Sequence, residues 1–106
     1  MAKKIVLADS FIDSRDQLSR KERKITKKSL EKFYKEEKNN SFQIHKLKRV
    51  KCDNSFRSAR VNSDLRFIIS LQGKSYIFLY VDHHEEAYNW AENKYLNKNK
   101  DSEIPF

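Results

Sequence analysis

A chain of 106 residues has room for one domain, read here as residues 1–106, and a hydrophobic content of 38% leaves that domain a thin core. One Gly and one Pro exclude collagen-like and Gly/Ser-linker classes, one Cys excludes an internal disulfide, and no apolar run approaches the roughly 20 residues of a membrane span. The net charge of +8 lies entirely in the first half: residues 1–50 hold 15 Lys/Arg against 7 Asp/Glu, and residues 51–106 hold 8 of each.

The first apolar run, Ile5-Val6-Leu7, is too short for a signal peptide and soon meets Asp9, so the chain reads as cytoplasmic. Lys4 to Ala8 predicts a first or edge strand. Ser10, with Asp13 three residues on, looks like the cap of a short helix from Phe11 to Leu18. Ser19 and Glu22 repeat that pattern ahead of a longer helix to about Glu37. Leu18, Ile25, Leu30, Phe33 and Tyr34 fall on one broad face of it, and Lys21, Lys24, Lys28, Lys32 and Lys35 on another. Asn39-Asn40-Ser41 ends it. Gln43 to Val50 is basic with some alternation, and Phe56 to Val61 alternates as a strand. Asn62-Ser63-Asp64 is a turn signal. Leu65–Leu71 and Tyr76–Val81 are strands flanking Gln72-Gly73-Lys74, where Gly supplies the positive φ of a tight hairpin. Ala87, Tyr88, Ala91 and Tyr95 predict a last helix from about Glu85 to Leu96, with a polar, frayed tail over residues 97–106. Short links between the later strands require antiparallel pairing, and helices layered on such a sheet make an α+β fold.

Three features carry candidate chemistry. The basic first half suits phosphate neutralisation, an acidic protein partner, or simply a solvated surface. Arg60 lies on the opposite strand face from Ala59 and Val61, and Arg66 begins the next strand across the turn. Two guanidiniums so placed can clamp a phosphate or pair with Asp53, Asp64 or Glu85. Asp82-His83-His84-Glu85-Glu86-Ala87-Tyr88 offers imidazoles for proton transfer, or half of a metal site lacking two further ligands; Asp82 also reads as a helix cap. Trp90 and Tyr95 read as sheet-packing residues, and Cys52 beside Lys51 has no specified partner. There is no Gly-rich nucleotide loop, paired CxxC or nucleophile elbow.

Lys46-Leu47-Lys48, then Ala59-Arg60-Val61-Asn62-Ser63-Asp64-Leu65-Arg66, Tyr76 to Val81, and His83-His84-Glu85-Glu86-Ala87-Tyr88 together resemble the RelE/ParE toxin superfamily. The likeness spans most of the chain in element order and residues 46–92 in motif. The ending Val81-Asp82-His83-His84 with Ala87-Tyr88-Asn89-Trp90-Ala91-Glu92 is similar to a subgroup found alone or joined to superfamily-I DNA helicases. The resemblance implies two N-terminal helices packed on a curved antiparallel sheet of about four strands, with a short C-terminal helix. It implies a toxin that cleaves mRNA at the ribosome without metal or cofactor: the 2′-hydroxyl attacks the adjacent phosphate and basic residues stabilise the developing charge. It further implies a small antitoxin that folds onto the basic surface. The catalytic set it points to is Arg57, Arg60, Arg66, His84 and Tyr88, with His84 where many members carry arginine. Lys24, Lys28, Lys46, Lys48 and His83 join the three arginines as nucleic-acid contacts. Two other functions stay open: a non-catalytic nucleic-acid-binding module serving a helicase or repair partner, and a ParE-like toxin that binds a protein such as gyrase.

Overall fold

The alternation that starts at Phe56 becomes a three-strand meander, to which the N-terminal half adds a strand at each edge. The computed structural model describes the backbone of residues 4–35, 44–47 and 55–103, and side chains as far as Asn93. In chain order the elements are β1 (Lys4–Leu7), α1 (Asp9–Asp16), α2 (Arg20–Lys35), β2 (His45–Lys46), β3 (Phe56–Arg60), β4 (Leu65–Gln72), β5 (Ser75–His83) and α3 (His84–Glu103). The five-stranded sheet has the order β1-β5-β4-β3-β2. The α+β architecture is as expected, with one addition: β1 pairs with β5 in parallel, so the sheet is mixed. Gly73 at φ 61° turns the β4–β5 hairpin. The Asn39-Asn40-Ser41 stop, Lys48, Cys52 and the ends of the Gln43–Val50 segment lie outside the described residues, as do the side chains of Tyr95 and the tail. α3 continues to Glu103, past Leu96, where the apolar spacing ends.

The two helix starts behave differently. Ser19 and Glu22 form the reciprocal cap: the Ser19 N–H donates to Glu22 Oε1 and the Glu22 N–H to Ser19 Oγ, both at 3.2 Å. The first helix starts earlier than expected, at Asp9, with Ala8 in the cap position and no side-chain cap. Ser10 is therefore inside α1, and its hydroxyl donates to Leu79 O at 2.6 Å. Ser14, one turn on, donates to Phe11 O at 2.8 Å and accepts from the Val81 N–H at 3.0 Å. These two hydroxyls, with the Ala8 N–H on Phe78 O at 2.9 Å, fasten α1 to β5. Ser14 is buried, so Ser14→Ala strands the Val81 N–H and will cost about 1–3 kcal/mol in urea unfolding.

Strand alternation sends two clusters to opposite faces of the sheet. Leu65, Phe67 and Ile69 of β4, Ala59 of β3, and Tyr76, Phe78 and Val81 of β5 meet Phe11, Leu18 and Phe33 of the helical layer. Thr26 is also buried in α2, whereas Tyr34, on the broad apolar face by helical spacing, is 67% exposed. The other face carries Phe56 and Ile68 under Ala87 and Ala91 of α3, with Tyr80, Tyr88 and Trp90 around them. The two alanines let the α3 backbone approach the sheet, and Trp90 stacks on Tyr80 with centroids 4.5 Å apart and planes at 6°. An irregularity in β5 matters here: the pairing jumps from Ile68↔Tyr80 to Ile69↔Phe78, leaving Leu79 as an extra residue. Beyond it, Val81 and His83 point to the helical layer while Tyr80 and Asp82 lie on the α3 face. Among the described residues no helix is long and apolar enough to cross a membrane.

Candidate active site

Helix α3 begins directly where β5 ends. The His84 N–H donates to Asp64 O at 2.9 Å, which fixes the first residue of the helix against the β3–β4 turn. Ala87 and Ala91 face the sheet, so His84 and Tyr88, four residues apart, share the flank turned toward β2 and β3. Their rings meet edge-on, with centroids 4.5 Å apart and planes at 63°. His45 of β2 stands in register with Ser58 of β3 and has the same facing. Together these residues border an open cleft of about 450 Å³ lined by His45, Lys46, Leu47, Ser58, His84, Glu85 and Tyr88. Ser58 is buried, His45 and His84 are exposed, and the Glu85 carboxylate lies 3.5 Å from His84 Nδ1.

The cleft is large enough for a group of nucleotide size. Two imidazoles on different elements can accept and donate protons, and Lys46 borders them at the β2 edge. Of the residues expected from sequence, His84, Tyr88 and Lys46 line it. His45, which no local motif marks, lines it as well. The signal that places it in the cleft is its strand register, which sets it beside Ser58 rather than near any other histidine in sequence.

The arginines are arranged differently. Arg60 and Arg66 are direct cross-strand partners, and Arg66 pairs in turn with Asp82, so all three share the α3 face. They do not line the cleft. Arg66 Nη1 donates to Asn62 O at 2.7 Å and Leu65 O at 2.9 Å, which holds the turn closed. Asn62 adds to this by accepting from the Asp64 and Leu65 N–H groups through Oδ1. Arg57 alternates to the helical face and donates to Phe56 O at 2.9 Å. Lys24 and Lys28 are exposed on α2, across the sheet from the cleft. Among the described residues, the expected basic contacts thus fall on both faces of the sheet.

His83 and His84 also part company. His83 points toward α2, where its Nε2 lies 2.7 Å from Glu22 Oε2 and 3.7 Å from Asp64 Oδ2; its Nδ1 is 3.1 Å from Asp82 Oδ1. The hydrogen bond with Glu22 is the main reason its pKa is raised, against the opposing effect of desolvation; the same bond is the main cause of the lowered Glu22 pKa. Asp82 belongs to β5 and accepts from the His83 N–H at 2.7 Å, which replaces the expected helix-capping role. Metal-ligand types gather here in two groups, Glu22-Asp64-His83 and Asp82-His83-Glu86, each with ligand atoms within 4.8 Å. Both groups share one imidazole whose two nitrogens already face carboxylates, so ion pairing accounts for the cluster.

No protein-family model matches the chain, and no curated protein matches it. Solved structures do. A chain of the Escherichia coli DinJ–YafQ toxin–antitoxin complex superposes with a TM-score of 0.65 at 14% identity, over 83% of this chain and 99% of that one. The solution structure of HP0894 from Helicobacter pylori, a conserved hypothetical protein, gives 0.62 at 23% identity, over 78% and 96%. A chain of the RelBE2 toxin–antitoxin complex from Mycobacterium tuberculosis gives 0.59 at 14%, over 79% and 100%. At these identities the likeness is one of fold, and it extends over nearly the full length of each neighbour.

Proposed function

We propose that this chain is the toxin of a toxin–antitoxin pair of the RelE/YafQ kind, and that it cleaves mRNA at the ribosome without a metal ion. The observation that carries the reading is the cleft in which His45 and His84 approach from β2 and α3 over Ser58, with Tyr88 and Lys46 beside them. In the proposed reaction one imidazole takes the proton of a ribose 2′-hydroxyl. The 2′-oxygen bonds to the adjacent phosphorus, the bond from phosphorus to the 5′-oxygen breaks, and a second acid, the other imidazole or Tyr88, protonates that oxygen. The products are a 2′,3′-cyclic phosphate and a free 5′-hydroxyl. Lys46, at the rim of the cleft, would bring its long side chain round to offset the charge that grows on the phosphate. Arg60 and Arg66, side by side on the same sheet face, would hold the flanking backbone, with Arg66 keeping the turn that carries Asp64 in place.

The partners follow from the same reading. Several solved neighbours are toxin–antitoxin complexes, which supports a small antitoxin for this chain. The exposed lysines of α2, including Lys24 and Lys28, suit either that antitoxin or ribosomal RNA. Induced expression followed by primer extension on translated messages tests the whole proposal. New 5′ ends inside reading frames are expected, and they should disappear when His45 and His84 are both replaced by alanine. Intact messages with unchanged growth would reject it. Steeply salt-dependent RNA binding without turnover would instead favour the binding-module function.

A further inference from the structure

Cleavage by the cleft requires that His84 be held in place, and the holding contacts come from the opposite side of the sheet. We propose that His83 is a positioning residue: its imidazolium, gripped by Glu22 and Asp64, locks the joint between β5 and α3 and so sets the place of His84. The effect on cleavage rests on the function proposed above; the lock itself does not.

Each contact has a structural consequence. Glu22 is held twice, with Oε1 on the Ser19 N–H at the start of α2 and Oε2 on His83 at 2.7 Å. Asp64 is also used twice: its carbonyl accepts the His84 N–H at 2.9 Å, and its carboxylate lies 3.7 Å from the His83 ring. Asp82 meets the other ring nitrogen at 3.1 Å, and Glu86 of α3 completes the groups around the imidazole. Among the described residues, the charged groups that face His83 from α2, the β3–β4 turn, β5 and α3 are carboxylates. A doubly protonated ring offers an N–H to both sides, whereas a neutral ring has one N–H and turns a lone pair toward a carboxylate on the other side. The lock is thus closed when His83 carries its proton.

The pH window follows from the direction of each shift. His83 is raised, so its contribution is complete below the ordinary imidazole range of about 6.5 and is lost as pH climbs through the elevated value. Glu22 is lowered, so its contribution is complete above the ordinary carboxylate range of about 4.3 and is lost only as pH falls through the depressed value. The lock is closed between the depressed Glu22 value and the elevated His83 value, and opens as pH climbs through the latter.

NMR on the full chain tests this without any need for activity. The His84 amide protection factor, corrected for intrinsic exchange, should fall about fivefold as pH rises through the titration of the His83 ring, a size fitting a partly exposed ion pair. Glu22→Gln keeps the capping oxygen and removes the charge. It should lower the His83 midpoint and give the same loss of His84 protection at a lower pH than in the wild type, with the Ile68 amide unchanged in the middle of β4. If the chain cleaves RNA, Glu22→Gln should lower kcat with KM unchanged, and the fall of kcat on the high-pH side should move down with the His83 midpoint. His84 protection that stays within twofold across the wild-type titration overturns the lock, and that arm needs no variant to fold. A wild type that cleaves nothing but shows the exchange change retires the nuclease proposal alone.

Discussion

Replacing His84 by alanine will reduce the cleavage step by about a hundredfold or more while leaving the fold intact. The first half of that expectation comes from the usual contribution of a positioned proton-transfer group, on the order of 10²–10⁴ in rate. The second comes from exposure: the His84 side chain is 46% accessible and lies at the mouth of the cleft, so its loss removes one edge contact with Tyr88 and little else. Surface changes of that sort shift stability by about 0.5 kcal/mol or less. His45→Ala should behave in the same way, and the double variant should lose less than the product of the two single losses, because groups that act in one step are not additive. Lys24→Ala supplies the contrast. It lies across the sheet and should change the salt dependence of RNA binding without changing the single-turnover rate of bound RNA. A single-turnover assay on ribosome-bound message separates these cases. Equal rates for wild type and His84→Ala would remove the cleft from the reaction.

The parts of this molecule legible in its sequence are those set by neighbours in the chain. Ser19 and Glu22 are three residues apart, so their mutual cap is a local event, and the Gly73 hairpin is equally local. The meander of β3, β4 and β5 follows from short links and two-residue alternation. What escaped depends on distant partners. β1 joins β5 in parallel across most of the chain, and no local pattern distinguishes that from an antiparallel edge. Ser10 resembles a cap, yet Ala8 holds that position because its N–H is taken by Phe78 O and the helix starts earlier.

The site was half legible for the same reason. His84 and Tyr88 sit one helical turn apart, and that spacing is visible in sequence. His45 reaches the cleft only through its register with Ser58. His83 and His84 look like one paired motif, but the extra residue at Leu79 decides which way each strand residue beyond it faces. Without that irregularity Tyr80 and Asp82 would point at the helical layer, and His83 would turn toward the α3 face. A one-residue shift in β5 therefore separates the imidazole that holds the joint from the imidazole that stands in the cleft.

Phe78→Ala will be the most damaging single truncation in the core, and Tyr34→Ala, also an aromatic truncation, will be nearly silent. Phe78 is fully buried at the meeting of three rings: Phe67 at 5.0 Å and 78°, Phe33 at 5.2 Å and 89°, and Phe11 at 5.7 Å and 81°. It touches α1, α2 and β4 at once, so these neighbours cannot all collapse into the gap. Removing a buried phenylalanine costs about 3–5 kcal/mol, against a total of about 5–15 kcal/mol for a domain. A fall in Tm of more than about 10 °C follows for a chain of this size. Tyr34 is 67% exposed, and its loss should stay within about 0.5 kcal/mol. Urea melts of both variants check the pair. The comparison also bears on function, since Phe78 lies on the face of the sheet away from the cleft. Below its own melting range, Phe78→Ala should cleave at the wild-type rate per folded molecule. A rate lost ahead of the fold would mean that the helical layer supports the cleft directly, and the route available for that support is the one through Glu22 and His83.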